Sequence, residues 1–238
     1  MSTLAPDGLF EAFYQSPVQH PFLLWASNLA GTVLALLALR SRPAADAAPL
    51  GKFILFWALI SMLDAWASAN HVFGVGALQA PWSSLVPFVF VWLGDFRIFL
   101  AMEIFGKQGA LGDHGLFRFP PRAAAACFVV PVIAGILTRG QNARMLFLVY
   151  EFLFLIWITL YGRITGLVQS PDARRIRNLA LLFYSLWVIS DALILTLPAP
   201  ARDLGFGFRV LPNFIYYGWF GWACAIRTAQ CPSGASGR

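Results

Sequence analysis

The chain is 238 residues long, with 59% hydrophobic and only 12% charged residues. Soluble domains carry roughly 45–50% apolar and about 25% charged residues, so a soluble globule, a disordered chain and a disulfide scaffold are excluded. The net charge of +6 lies between apolar runs rather than on one face, which argues against nucleic acid and for an integral membrane protein.

Residues 1–19 contain Asp7 and Glu11 but no Lys or Arg, the reverse of a cleavable signal, and are read as a short external segment. Seven apolar runs follow, at residues 20–39, 52–69, 85–105, 123–138, 145–165, 178–197 and 210–226. Each approaches the roughly 20 residues that a bilayer core requires. The fourth run is the shortest and contains Pro131, which predicts a tilt or kink. Barrel strands would be half as long and alternating. The expected fold is therefore all-α, a polytopic bundle with seven transmembrane helices over residues 20–227 and a disordered tail at 228–238.

Positive charge is uneven along this plan. One set of connections holds Arg40, Arg42, Lys52, Lys107, Arg118, Arg122, Arg163, Arg174, Arg175, Arg177, Arg227 and Arg238; the other holds only Arg139, Arg144, Arg202 and Arg209. Cytoplasmic connections keep the excess, so the N-terminus is expected outside, the C-terminus inside, and the chain in a cell's inner (plasma) membrane. Trp25, Trp66 and Trp82 then fall toward the outer interface.

Several tempting motifs lead nowhere. The glycines of residues 106–122 lack the strand and the Lys-Ser/Thr ending of a phosphate loop. Cys127, Cys224 and Cys231 have no metal spacing, and His20, His71 and His114 form no helical pair, so no metal or cofactor is expected. Phe56–Ala65 can be laid on Phe183–Ala192 with Asp64 opposite Asp191, a possible repeat in which three helices, one linker helix and three helices follow one another.

The informative residues are the polar ones inside apolar runs. Asp64, Asp95, Arg97, Glu103, Glu151, Asp191 and Asn213 all lie there, where an ionised group costs at least about 3 kcal/mol. At about 1.5 Å per residue, Asp95 falls near mid-helix and Asp64, Glu151, Asp191 and Asn213 somewhat outward of it, beside Tyr150, Tyr216 and Tyr217. This predicts one polar layer around a cavity open to the outer side. Glu103 lies further inward and is expected to snorkel to the cytoplasmic surface. Four carboxyls against Arg97 alone would require a bound proton or cation. Two residues turn a helix by about 200°, so Arg97 should face away from Asp95 and reach a carboxylate on another helix.

Leu93-Gly94-Asp95, Ser190-Asp191-Ala192-Leu193-Ile194-Leu195 and Tyr216-Tyr217 resemble, in order and rough spacing, motifs of the lysoplasmalogenase family, whose members usually have eight helices. The resemblance implies hydrolysis of a lysolipid vinyl ether, with Asp95 and Asp191 as the catalytic pair. Vinyl-ether hydrolysis suits that pair: a protonated acid adds a proton to carbon, and a carboxylate orients water and offsets the oxocarbenium charge. Arg97, Asp64, Glu151, Asn213, Tyr216 and Tyr217 would then bind a membrane lipid or amphipathic small molecule. Acting as one unit, Asp95 and Asp191 should show non-additive mutational effects. Two other readings compete: a proton- or cation-coupled carrier using Asp64 and Asp191, and a sensor or assembly subunit whose charges only join helices.

Overall fold

The structure, a computed structural model, describes residues 8–68, 82–106, 121–139 and 143–226. Among these, every regular element is helical. A short helix α1 (Leu9–Gln15) is followed by a kinked segment, Val18–Leu23, that enters α2 (Leu24–Leu39). Next come α3 (Ala44–Ala67), α4 (Trp82–Gly106), α5 (Pro121–Leu137), α6 (Ala143–Ile164) and α7 (Pro171–Thr196). The last helical segment is α8 (Arg202–Phe214), a π-type turn at Ile215–Trp219, and α9 (Phe220–Ala225).

All seven expected runs fall on helices, but several helices begin earlier than their apolar windows. Ser170 and Pro171 start α7, because proline's fixed φ suits the first helical turn and its missing N–H costs nothing there. Arg174, Arg175 and Arg177 then occupy polar turns of a helix that hydropathy sees only from residue 178. Likewise α8 starts at Arg202, within the charged stretch before residue 210. Pro131 does not end α5, which continues through it. The expected disordered tail at 228–238 and the residue 107–120 connection lie outside the described residues.

Val18–Leu39, Ala47–Ala67, Arg144–Ile164 and Pro171–Thr196 are long and apolar enough to cross a membrane by length and composition, and Pro121–Leu137 is apolar but shorter. Polarity is distributed inside out. Leu29, Val33 and Leu37 on α2 and Phe128, Val132 and Ile136 on α5 are exposed, whereas five carboxyl groups are buried. Such a surface suits hydrocarbon rather than water.

The helices form a closed ring. Each long helix packs on its successor, and the turn at Ile215–Trp219 with α9 closes onto α2. Only a residue without a side chain permits that closure: a Cβ on Gly31 would lie 1.5 Å from the Gly218 carbonyl oxygen. Across the middle of the ring α4 packs directly on α7, and this crossing carries the centre of the polar interior.

Candidate functional site

Two local features aim the interior side chains. Pro212 supplies no amide hydrogen to α8, and three residues later the helix widens into the π-type turn. The wide turn buries both Tyr216 and Tyr217, consecutive residues that a regular helix would splay by about 100°. On α4, Gly94 leaves room for the Tyr216 hydroxyl; a Cβ there would fall 1.6 Å from that oxygen.

At the centre of the ring, Tyr184 of α7 donates its hydroxyl to Asp95 Oδ1 on α4, and Asp95 is 1% exposed. Asp64 on α3 accepts from the Tyr217 hydroxyl at 3.0 Å and from Ser68 Oγ at 3.2 Å. Arg97 lies within electrostatic reach of both carboxyls. Its hydrogen bonds, however, go to Ser61 Oγ and, at 2.8 Å, to the Tyr216 carbonyl, and its guanidinium lies over the Tyr216 ring at 4.2 Å. The expectation that Arg97 reaches a carboxylate on another helix is thus corrected. It faces Ser61 of α3, and the turn at Ile215–Trp219 presents it with the Tyr216 carbonyl.

A second group sits toward the α1 end. Asp191 Oδ1 accepts from Arg209 of α8 and, at 3.0 Å, from Arg144 of α6. Arg209 also reaches Glu151 Oε1 at 3.4 Å and donates from Nε to the Tyr14 hydroxyl of α1 at 2.9 Å. Asn213 accepts from Trp187 Nε1 at 2.9 Å. The count of one guanidinium against four carboxyls is therefore corrected, because Arg144 and Arg209 belong to the interior and not to a connection. The reason is helical reach: each sits one residue outside its apolar window, on a helix that begins before the window does.

A third group lies at the opposite end. Glu103 Oε1 accepts from Arg122 Nε and from the Tyr161 hydroxyl, each at 2.5 Å. Glu103 is 3% exposed and so does not snorkel to a surface; Arg122 comes to it instead.

The polar residues therefore occupy three levels rather than one layer. Tyr184, which holds Asp95, and Asp191 are seven residues apart on one helix, a separation of about 10 Å. Asp95 and Glu103 are separated by about 12 Å along α4 on the same basis. Asp64, Asp95, Arg97, Tyr216 and Tyr217 come together; Glu151, Asp191 and Asn213 lie with the α1-end group. Asp95 and Asp191 are not in contact.

A cavity of about 10 Å³ opens beside Arg97, lined among others by Asn28, Thr32, Ser61 and Tyr217. That volume holds about one water.

Reading the sequence overlooked Tyr14, Arg144, Tyr161, Tyr184 and Arg209. Helical arithmetic held the signal for several: Tyr184 and Asp191, like Arg144 and Glu151, are seven apart and share a helix face. Among the described residues, Asp95 Oδ2, Glu151 Oε2, Asp191 Oδ2, the Tyr150 hydroxyl and Asn213 Nδ2 are buried with no hydrogen-bond partner. Unpaired polar atoms of this kind mark sites of water, ions or chemistry rather than packing. No protein-family model, no characterised protein and no solved structure matches the chain.

Proposed function

We propose that the chain is a proton-coupled carrier of a cell's plasma membrane, crossing it seven times with its N-terminus outside. One observation carries this reading. Among the described residues, four buried carboxyls around the centre and the α1 end of the bundle, those of Asp64, Asp95, Glu151 and Asp191, face three guanidiniums, those of Arg97, Arg144 and Arg209. A bundle in hydrocarbon does not hold a surplus carboxylate, because an uncompensated ion there is too costly. One acid keeps a proton, and we assign it to Asp95, whose Oδ1 meets a neutral phenol and whose Oδ2 is buried without a hydrogen-bond partner. Ionisable groups at three levels, with unpaired oxygens at two of them, are what a proton needs to move stepwise through the bundle.

The resemblance to lysoplasmalogenases keeps lipid hydrolysis as a second reading. Asp95 would be the acid, and the arginines about 10 Å away along the helices would meet a headgroup. A paired mechanism fits less well. The carbon that takes the proton and the carbon that water attacks are bonded neighbours, whereas Asp95 and Asp191 are two helical turns apart.

The test is reconstitution. In sealed vesicles with an inward proton gradient, the wild-type protein should accumulate members of a labelled organic-acid mixture, and Asp95→Asn should abolish that uptake. Release of fatty aldehyde from lysoplasmalogen by protein that takes up nothing would replace the carrier reading with the hydrolase one.

A further inference from the structure

Resting on the carrier reading, we infer that Arg144 and Arg209 form a subsite for a monoanionic oxyanion, a carboxylate or phosphodiester, which Asp191 and Glu151 occupy until Glu151 takes up a proton. The geometry at the α1 end is unusual in a specific way. Two guanidiniums from different helices converge on a single oxygen, Asp191 Oδ1, while Oδ2 of the same carboxylate is buried and unpartnered. A carboxylate placed only to neutralise two arginines would offer each its own oxygen, because two parallel N–H···O bonds are the stronger arrangement. Glu151 is held by one oxygen at 3.4 Å, with its other oxygen also buried and unpartnered. Both acids therefore satisfy the arginines incompletely.

An incoming oxyanion can do better, and its path exists. The Arg144 side chain is 28% exposed, whereas that of Arg209 is 10% exposed. The Phe206 ring lies 5.5 Å from the Arg144 guanidinium and the Tyr14 ring 6.0 Å from that of Arg209, giving the pair an apolar rim. With both acids ionised the group is neutral and has no charge left for an anion. One proton on Glu151 leaves a charge of +1. The charged and titratable groups facing this site are Glu11 and Tyr14 from α1, His20 of the kinked segment packed on Tyr14, Arg144, Tyr150 and Glu151 from α6, Asp191 from α7, and Arg209 from α8, with Arg202 and Asp203 at the head of that helix. Among these, Glu151, which touches an arginine through one oxygen at 3.4 Å, is where the proton goes. The anion and the proton thus bind together, which is the coupling a symporter requires.

The experiment is calorimetric titration of the full chain in a non-ionic detergent. The probes are dimethyl phosphate and propionate, both monoanions between pH 5.5 and 7.5, with lysophosphatidylglycerol as a lipid arm. We expect binding to tighten as the pH falls through the range in which Glu151 is ionised in the free protein, with up to one proton taken up per anion, read from the heats in buffers of different ionisation enthalpy. Glu151→Gln should bind anions more tightly and lose most of the pH dependence, a gain that misfolding cannot produce. Arg144→Gln should weaken binding at least tenfold. Binding of the soluble probes identifies a soluble substrate, and binding of the lysolipid alone identifies a lipid phosphate; either supports the subsite if it follows the two variants. No binding of any probe, or binding indifferent to Glu151→Gln and Arg144→Gln, overturns it. Because binding is read without transport, a protein that binds anions yet moves none would fail the carrier reading and keep the subsite.

Discussion

The Tyr184 hydroxyl of α7 is bonded to the Asp95 carboxyl of α4 where those two helices cross inside the ring. Tyr184 is itself stacked on Phe154 of α6 with ring centroids 4.1 Å apart, so the donor is fixed from a third side. Asp95 therefore has one oxygen committed to a neutral group and the other committed to none. Replacing Tyr184 with Phe should free Asp95 without emptying the space. We expect the folded protein to remain, with proton-coupled uptake reduced at least tenfold, as read in vesicles.

Asp95 and Asp191 should behave independently. They lie at different levels, have different partners and share none. The effects of Asp95→Asn and Asp191→Asn on thermal stability in detergent are expected to add to within about 0.5 kcal/mol. A strong deviation would mean that the two groups communicate.

Glu103 and Arg122 offer a test of buried charge. Removing Arg122 takes the paired guanidinium from a carboxylate that is 3% exposed, and should cost about 3 kcal/mol or more. Adding Glu103→Gln to Arg122→Ala should recover most of that loss. Melting curves of the two single variants and the double variant decide the matter.

The short helix α1 is fastened by a residue far away in sequence. Asp203 accepts the backbone N–H of Glu11 at 2.8 Å and that of Phe10 at 3.2 Å, acting as the cap that Gly8 cannot provide. Asp203→Ala should remove about 1 kcal/mol of local stability. Amide exchange across residues 9–15 should quicken, while exchange in α4 stays unchanged.

Orientation is tested by labelling. A cysteine at Gly8 should react with an impermeant thiol reagent in intact cells, and one at Gly234 should not. The opposite pattern would reverse the direction of the proposed transport.

Helix content was legible because apolar runs of bilayer length are hard to satisfy otherwise, and all of them became helices. The identity of the buried acids was legible for a similar reason, since a carboxyl within such a run has nowhere to go but inward. Their partners were not. Arg144 and Arg209 sit just beyond the apolar windows and look like connection charges until the helices are seen to extend past them. The path of Arg97 depended on the Tyr216 carbonyl in the π-type turn after Pro212, a feature that hydropathy does not register. The separation into levels also depended on tertiary register, which decides that Asp95 meets Tyr184 rather than Asp191.

On the carrier reading the bundle holds one exchangeable proton, on Asp95. Infrared spectroscopy of the reconstituted protein reads this directly, through the C=O stretch of a protonated carboxyl in a membrane interior. At neutral pH the wild-type protein should show one such band, exchangeable in deuterated water and lost in Asp95→Asn but kept in Asp191→Asn. A wild-type spectrum without the band, or a band that survives Asp95→Asn, would contradict the claim.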